Sequence, residues 1–117
     1  MPKPSPAFQA MKRALLEQLS AIPRGKIVKL DQMAVAMNIP ARHVAYMVSQ
    51  LSEAEREMVP WHRLVPSGCT FPAEAKRSPR QIEQLRLLAL EGVSDLPAHI
   101  IPPPFDYSSV FWADEGL

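Results

Sequence analysis

Apolar residues near the start of the chain recur at steps of three and four, which is the spacing of one helix face. This stripe consists of Phe8, Met11, Leu15, Leu19 and Ile22. Ser5 and Pro6 are residue types favoured at an N-cap and at the first helical position, and Pro23 is expected to end the helix. The polar residues that fall outside the stripe are Lys12, Arg13, Glu17 and Gln18.

Two shorter helices joined by a tight turn are predicted next. Asp31 can cap the first of them over residues 32–37, and Asn38 is a residue type that tolerates a left-handed turn. Pro40 then opens the second, which runs from 41 to about 51. The pair forms a candidate helix-turn-helix, and an ordinary helical hairpin within a bundle remains the alternative.

The rest of the chain combines extended and helical patterns. Ser52 and Glu55 fit a capping box, which extends or restarts the helix to about residue 58. Residues 63–65 and 69–71 flank a Pro-Ser-Gly turn and predict a two-stranded ribbon. A last helix begins at Pro79 and ends before Gly92, with a core stripe of Ile82, Leu85, Leu88 and Ala89. The predicted fold class is mainly α with a small β-ribbon, a winged helix-turn-helix-like single domain.

Size and proline content suggest how the chain is organised. Its 117 residues fit one domain, and 47% hydrophobic residues suffice for one core. The 13 prolines cluster near both ends, where they favour extended conformations. We therefore expect an extended N-terminus over residues 1–6, a domain over 7–95, and a proline-rich acidic segment over 96–117 that packs on the domain or trails from it.

The net charge of +1 conceals an uneven distribution. Residues 1–86 hold all 13 Lys and Arg against seven acidic residues, a balance of +6, whereas residues 87–117 hold five acidic residues and no basic one. A basic body with an acidic tail suits a polyanionic partner.

Several other classes of protein are not favoured. No apolar run approaches the roughly 20 residues that a membrane-spanning helix needs, and residues 2–9 lack the apolar stretch of a secretion signal. A single cysteine, Cys69, cannot form an internal disulfide, which fits a reducing compartment. Three histidines and one cysteine lie far apart without ligand spacing, so we predict no metal and no other cofactor.

Four short motifs keep a fixed order and spacing along the chain. They are Ile-Pro-Arg-Gly-Lys-Ile at 22–27, Ala-Arg-His-Val at 41–44, Pro-Trp-His-Arg at 60–63 and Glu-Gly-Val at 91–93. Through them the chain resembles the alkyltransferase-like proteins, which are homologous to the DNA-binding domain of the O6-alkylguanine-DNA alkyltransferases. The resemblance covers roughly residues 8–93 and implies double-stranded DNA as the partner.

The Pro-Trp-His-Arg motif stands where the enzymes of that family carry Pro-Cys-His-Arg. In those enzymes the cysteine takes the alkyl group from a flipped base and is activated by the neighbouring His, which a Glu orients. By this match Trp61 replaces the nucleophile, while His62 and Glu91 remain as a residual relay. Because an indole cannot accept an alkyl group by this route, the resemblance implies a non-enzymatic protein.

The resemblance further implies a DNA-binding side on the third helix. Arg42 matches an Arg that enters the duplex in place of the flipped nucleotide, and the helix N-terminus offers amides to phosphates. The implied DNA-binding residues are Ala41, Arg42, His43, Ala45, Lys26 and Lys29, with Lys76, Arg77 and Arg80 as further candidates for phosphate contacts. The implied lesion pocket is lined by Leu30, Val48, Leu64 and Trp61, and the indole forms its floor or wall.

The chain departs from the family at several of these positions. Leu30 stands where the family has a Tyr that helps rotate the target nucleotide, and Asp31 stands in place of the following Gly. Ala45 replaces a Gly on the DNA-facing side, and Glu74 falls near an expected Arg. We expect these differences to leave the fold unchanged and to affect the recognition of O6-alkylguanine.

Three hypotheses follow from the sequence. The first is a damage sensor that binds duplex DNA, flips O6-alkylguanine-type lesions and flags them for nucleotide excision repair proteins. The second is a general DNA-binding or regulatory module that has lost lesion specificity, which Leu30 and Asp31 favour. The third is an alkyltransferase that uses Cys69. For the sensor we expect a cytoplasmic monomer, associated with the nucleoid if the source is bacterial, and no membrane partner.

Overall fold

The computed structural model describes residues 5–112. Among these residues it contains five α-helices, two short strands and three short 3-10 turns. The α-helices are α1 Pro6–Ala21, α2 Leu30–Met37, α3 Ala41–Ser49, α4 Glu53–Met58 and α5 Pro79–Leu90. The strands are β1 Val28–Lys29 and β2 Leu64–Val65, and the 3-10 turns are Trp61–Arg63, Glu74–Lys76 and Leu96–His99. The predicted fold class is confirmed.

Local sequence signals explain where α1 begins and ends. The Ser5 hydroxyl accepts a hydrogen bond of 3.1 Å from the Phe8 amide, and Pro6 occupies the first helical position. The Ile22 amide closes the last turn on the Leu19 carbonyl before Pro23. Gln18 falls outside the predicted apolar stripe, yet its side chain is fully buried.

The helix-turn-helix consists of α2 and α3. Asn38 forms the turn with φ 56° and ψ 43°, the left-handed conformation that its residue type tolerates. The helices pack through buried apolar side chains: Met33, Ala34, Met37, Val44 and Met47. Asp31 does not cap α2 as predicted, because β1 runs directly into a helix whose N-cap is Lys29. α3 ends at Ser49, earlier than predicted.

The two strands form a parallel sheet, with Val28 opposite Leu64 and Lys29 opposite Val65. The predicted ribbon between residues 63–65 and 69–71 is therefore wrong in its second strand. The Cys69 amide closes a tight turn on the Pro66 carbonyl at 2.9 Å, and Cys69 has φ 55°. This conformation is incompatible with an extended strand, so the connector before α2 becomes the partner of β2.

Helix α5 buries Leu88 as predicted, but the rest of its buried face differs from the predicted stripe. Gln84 and Leu88 are buried, whereas Ile82 is 53% exposed. The face packs on the Trp61–Arg63 turn, whose backbone carbonyls need donors. An amide side chain supplies these donors where an apolar side chain could not.

Buried apolar residues form two clusters. The larger lies among α1, α2 and α3 and includes Trp61 and Leu64. The smaller lies on the other side of the sheet and consists of Ile27, Val65, Leu88, Val93 and Leu96. The sheet thus connects the helix-turn-helix to α5 and holds α3 beside β2.

The segment from Leu96 to Trp112 lies along the domain. Ile27 pairs with Ile100 in a parallel bridge. The buried Gln18 side chain bonds both backbone groups of Phe105, at 2.7 and 2.8 Å, and the Trp112 indole N–H donates to the Met37 carbonyl. Phe105 and Phe111 are exposed and Trp112 is partly buried. Hydrogen bonds to α1 and α2, rather than apolar burial alone, therefore hold the segment.

None of the helices within residues 5–112 has both the length and the apolar character needed to cross a membrane.

We expect Gln18→Ala to lower the free energy of unfolding by about 2 kcal/mol, because two hydrogen bonds between a buried side chain and the Phe105 backbone are lost. Urea denaturation measures this effect. Gln9→Ala, at an exposed position of the same helix, should change the stability by less than about 0.5 kcal/mol. Equal stabilities of the two variants would show that Gln18 does not anchor the segment.

Candidate nucleic-acid interface

One side of α3 presents Arg42, Ala45 and Ser49 to solvent. These positions are three and four residues apart, so they share a helix face. The Arg42 guanidinium makes no hydrogen bond or ion pair with any residue in the range 5–112, which leaves it available to an external partner. Arg42 lies in the first turn of α3. The free backbone amides of this turn add a positive local potential.

A cavity of about 340 Å³ adjoins this face. It lies between the start of α2, the C-terminal half of α3, β2 and the first turns of α5. Its lining residues are Leu30, Ala45, Val48, Ser49, Leu64, Val65, Pro66, Arg80, Gln81 and Gln84. The structure therefore brings together three of the four predicted lesion-pocket residues. The size falls in the range of about 300–1,000 Å³ that is usual for small-molecule sites.

Trp61, the fourth predicted pocket residue, does not line this cavity. Its side chain is only 6% exposed and packs in the larger core cluster. The Trp61 amide donates to the Val59 carbonyl at 2.8 Å, and Trp61 is the first residue of the 3-10 turn Trp61–Arg63. The residue instead borders a separate cavity of about 790 Å³ with residues of α4 and α5. The expected indole floor is thus missing from the cavity beside α3.

His43 and Ala45, both predicted to bind DNA, lie on different faces of α3. Residues two apart on a helix point in different directions. His43 lines a small apolar cavity against α1, together with Phe8, Met11, Tyr46 and Met47. Ala41 is partly buried against the larger core cluster. As the first residue of α3, it can offer a partner its backbone amide rather than its side chain.

The predicted phosphate-binding side chains are spread over several elements. Lys26 is exposed and Lys29 is partly buried. The Arg80 guanidinium donates to the Ser49 carbonyl at 3.0 Å, which places this cation at the edge of the cavity beside α3. Lys76 is exposed in the loop before α5, and the Arg77 guanidinium donates to the Pro72 carbonyl. Glu74 is exposed in the same loop.

The predicted relay pair is in contact. The His62 Nε2 and Glu91 Oε2 atoms lie 2.6 Å apart, and both side chains are buried. The Glu91 carboxylate also accepts hydrogen bonds from Arg63 Nε and Nη2, at 2.9 to 3.1 Å, and from the Gly25 amide at 2.8 Å. Arg63 Nη1 in turn donates to the Ile22 carbonyl. We refer to Glu91, Arg63, His62 and Gly25 as the carboxylate network.

The carboxylate network sets the charge state of Glu91. Burial alone would raise the pKa of this carboxyl, but hydrogen bonds from Arg63, the Gly25 amide and His62 outweigh it and lower the pKa to about 2. The side chain is therefore an anion at neutral pH.

Cys69 lines none of the three cavities described above. It is partly buried and packs against the smaller core cluster, in the left-handed conformation of its turn. Within residues 5–112, no three His, Cys, Asp or Glu side chains converge on a possible metal site.

The family of this chain is shown by its match to the 6-O-methylguanine DNA methyltransferase DNA-binding domain, over residues 10–93. The chain belongs to that family. The fold is shared with the crystal structure of S. pombe Atl1 in complex with damaged DNA containing O6-carboxymethylguanine, at 24% identity and a TM-score of 0.67. A second structure, S. pombe ATL in complex with DNA, gives 24% identity and 0.68. Each alignment covers 81% of this chain and 97% of the other. No curated protein matches the chain.

The sequence pattern does not indicate the contacts of two residues, Arg63 and Gln84. Arg63 belongs to the Pro-Trp-His-Arg motif, and in the structure it binds both oxygens of Glu91. Gln84 is buried beside the cavity next to α3. Its spacing offers a signal, because residues 84, 88 and 91 fall on one helix face. With a candidate site residue at position 91, the spacing therefore predicts that residue 84 lies on the same face of the helix.

We expect the stability of the protein to fall as the pH drops from about 5 to about 2. The folded pKa of Glu91 lies below its ordinary value of 4.5. The carboxylate therefore stabilises the fold above that value, and its contribution of about 3 kcal/mol is lost on protonation. Urea denaturation across this pH range measures the loss.

Glu91→Gln should flatten this part of the pH profile and destabilise the protein at pH 7 by about 3 kcal/mol, since Arg63 loses its buried counter-ion. Glu74→Gln, at an exposed position, serves as the matched control and should keep the profile of the unchanged protein. An unchanged profile in Glu91→Gln would contradict the assignment.

Proposed function

We propose that this chain binds duplex DNA and holds an everted, O6-alkylated guanine in the cavity beside α3 without altering it chemically. The observation that carries this proposal is the cavity itself, which three predicted pocket residues line next to the face that presents Arg42. Membership of the 6-O-methylguanine DNA methyltransferase DNA-binding domain family supports DNA as the partner.

The cavity suits a base more than a backbone. Its walls are mainly aliphatic, from Leu30, Val48 and Leu64, so they favour a flat, weakly polar group over a phosphate. An O6-alkyl group adds apolar surface to guanine, and burial of this surface gives the lesion an advantage over the normal base.

Eversion of a base costs a few kcal/mol, and the vacated position in the duplex has to be filled. Arg42 is the side chain suited to this role, because it is exposed, unpaired among residues 5–112 and one turn before Ala45 at the cavity. Phosphates bind at the N-terminus of α3 and at the exposed Lys26, with Lys29 and Arg80 as further contacts. Minor-groove docking of α3 suits a sensor that ignores sequence, since that groove distinguishes bases poorly.

The protein acts as a sensor rather than an alkyltransferase. Trp61 occupies the position at which the related enzymes carry the acceptor cysteine, and an indole buried in the core offers no nucleophile. Cys69 belongs to a turn packed on the smaller core cluster and lines neither the cavity beside α3 nor the one that Trp61 borders. The complex of S. pombe Atl1 with DNA containing O6-carboxymethylguanine supports the same type of role.

Binding without repair requires a later step by other proteins. We infer that the monomeric complex persists on the lesion and marks it for nucleotide excision repair proteins in the compartment that holds the DNA, which is the cytoplasm if the source is bacterial.

A second candidate function is a general DNA-binding module without lesion preference. The burial of Trp61 outside the cavity beside α3 favours it, because the expected aromatic surface for a base is lost. Leu30 favours it as well, since a leucine cannot donate a hydrogen bond to the phosphate of a rotating nucleotide.

Affinities for a duplex with one O6-methylguanine and for the same duplex with guanine distinguish the two candidates. The sensor should bind the lesion at least tenfold more tightly, because its cavity buries the added alkyl group and the weakened base pair is easier to open. Fluorescence anisotropy at one salt concentration measures both affinities.

Arg42→Ala should reduce this preference to less than about twofold, because nothing then fills the vacated position. The control Arg13→Ala removes an exposed cation from α1 and should leave the preference unchanged. Equal affinities of the unchanged protein for the two duplexes would exclude lesion sensing and leave the general module.

Incubation with DNA containing O6-methylguanine should add no methyl mass to the protein, because Trp61 cannot accept the group and Cys69 lies away from the cavity. Intact-mass spectrometry measures this, and Cys69→Ser provides the control for nonspecific thiol alkylation. A gain of 14 Da per methyl group, roughly stoichiometric and abolished by Cys69→Ser, would reinstate the alkyltransferase hypothesis.

A further inference from the structure

Gln84 is a buried polar residue in the wall of the proposed base cavity. It is 8% exposed, and it lines the cavity opposite the α3 residues Ala45 and Val48. Its Nε2 group donates to the His62 carbonyl at 3.1 Å and to the Leu64 carbonyl at 2.8 Å. Both protons of the amide nitrogen are thereby used.

These two contacts determine the orientation of the amide. A flipped side chain would place Oε1 against two carbonyl oxygens, which cannot donate. Oε1 accepts no hydrogen bond from residues 5–112, and it is not one of the unpaired polar atoms sealed from solvent in that range. It is therefore an acceptor of fixed orientation without a partner among these residues, on a side chain that lines the cavity.

Of the other polar side chains of the cavity, Ser49 and Gln81 already use their side-chain oxygens, and Arg80 carries no acceptor. The Ser49 hydroxyl donates to the Tyr46 carbonyl, Gln81 Oε1 accepts from the Ser78 amide, and Arg80 donates to the Ser49 carbonyl. Gln84 Oε1 thus differs from them as an acceptor without a partner in an apolar cavity. Such an atom favours a ligand that brings a donor and disfavours one that leaves it unpaired.

An O6-alkylguanine carries one donor group on its base. Alkylation at O6 leaves N1 without a proton, so the exocyclic 2-amino group alone can donate. We propose that Gln84 Oε1 accepts a hydrogen bond from this 2-amino group and is a specificity-determining residue of the site. This inference rests on the proposed function and names the group by which the lesion is recognised.

A base analogue tests the inference on the unchanged protein. Three duplexes differ only at one position, which holds guanine, O6-methylguanine or O6-methylhypoxanthine, the analogue that lacks the 2-amino group. We expect O6-methylguanine to bind about tenfold more tightly than O6-methylhypoxanthine, the effect of one hydrogen bond to a buried acceptor. Fluorescence anisotropy measures all three affinities.

Gln84→Met removes the acceptor at similar volume and should reduce the difference between O6-methylguanine and O6-methylhypoxanthine to less than twofold. Gln9→Met is the control, because its amide is exposed on α1 and lies outside the lining of the cavity; it should keep the tenfold difference. Thermal unfolding checks that both variants are folded, and the duplex comparison on the unchanged protein does not depend on them.

The outcomes separate this inference from the proposed function. Equal affinity for guanine and O6-methylguanine would overturn lesion sensing itself. A preference for O6-methylguanine over guanine, without discrimination against O6-methylhypoxanthine, would overturn the role of the 2-amino group alone. Discrimination that persists in a folded Gln84→Met variant would show that another group accepts the hydrogen bond.

Discussion

The buried ion pair between Glu91 and Arg63 holds together the parts of the molecule that form the candidate site. Arg63 binds both carboxylate oxygens and the Ile22 carbonyl, and Glu91 also accepts the Gly25 amide. The end of α5, the turn before β2 and the loop before β1 are thereby joined. Buried charges are tolerated only when they are paired and hydrogen-bonded, so these three segments have to stay together. Their arrangement places β2 beside β1 and forms the wall of the cavity opposite α3.

The contact between His62 and Glu91 is part of the same structural network. In an alkyltransferase such a pair activates a thiol, whereas in this chain Glu91 has three further donors from Arg63 and Gly25. The carboxylate is needed for the fold whether or not a nucleophile is present. The contacts that Glu91 makes with His62, Arg63 and Gly25 are therefore sufficient structural reason for both His62 and Glu91.

Features encoded over a few residues could be predicted from the sequence, and features that depend on distant pairing could not. The N-cap at Ser5, the left-handed Asn38 and the capping box at Ser52 are local and were predicted correctly. The parallel pairing of β1 with β2 joins segments more than 30 residues apart. Gln18 and Gln84 are buried because backbone groups far along the chain need partners, which apolar periodicity does not reveal. Three of the predicted pocket residues line one cavity, whereas Trp61 was assigned by motif position, and its packing depends on the whole core.

The location of Trp61 bears on how selective the proposed sensor can be. Trp61 does not line the cavity, so no aromatic ring of this residue can stack on a base there. The groups left to recognise a base are the aliphatic walls and the Gln84 amide. A methyl group buried against such walls adds about 1–3 kcal/mol, while an acceptor left unpaired rejects a base more strongly. Selection by apolar contact therefore separates alkylated from normal guanine only moderately and tolerates alkyl groups of different size. Selection by the amide restricts the site to bases with a suitably placed donor. The combination suits a protein that surveys many O6-adducts of one base rather than one adduct of defined shape.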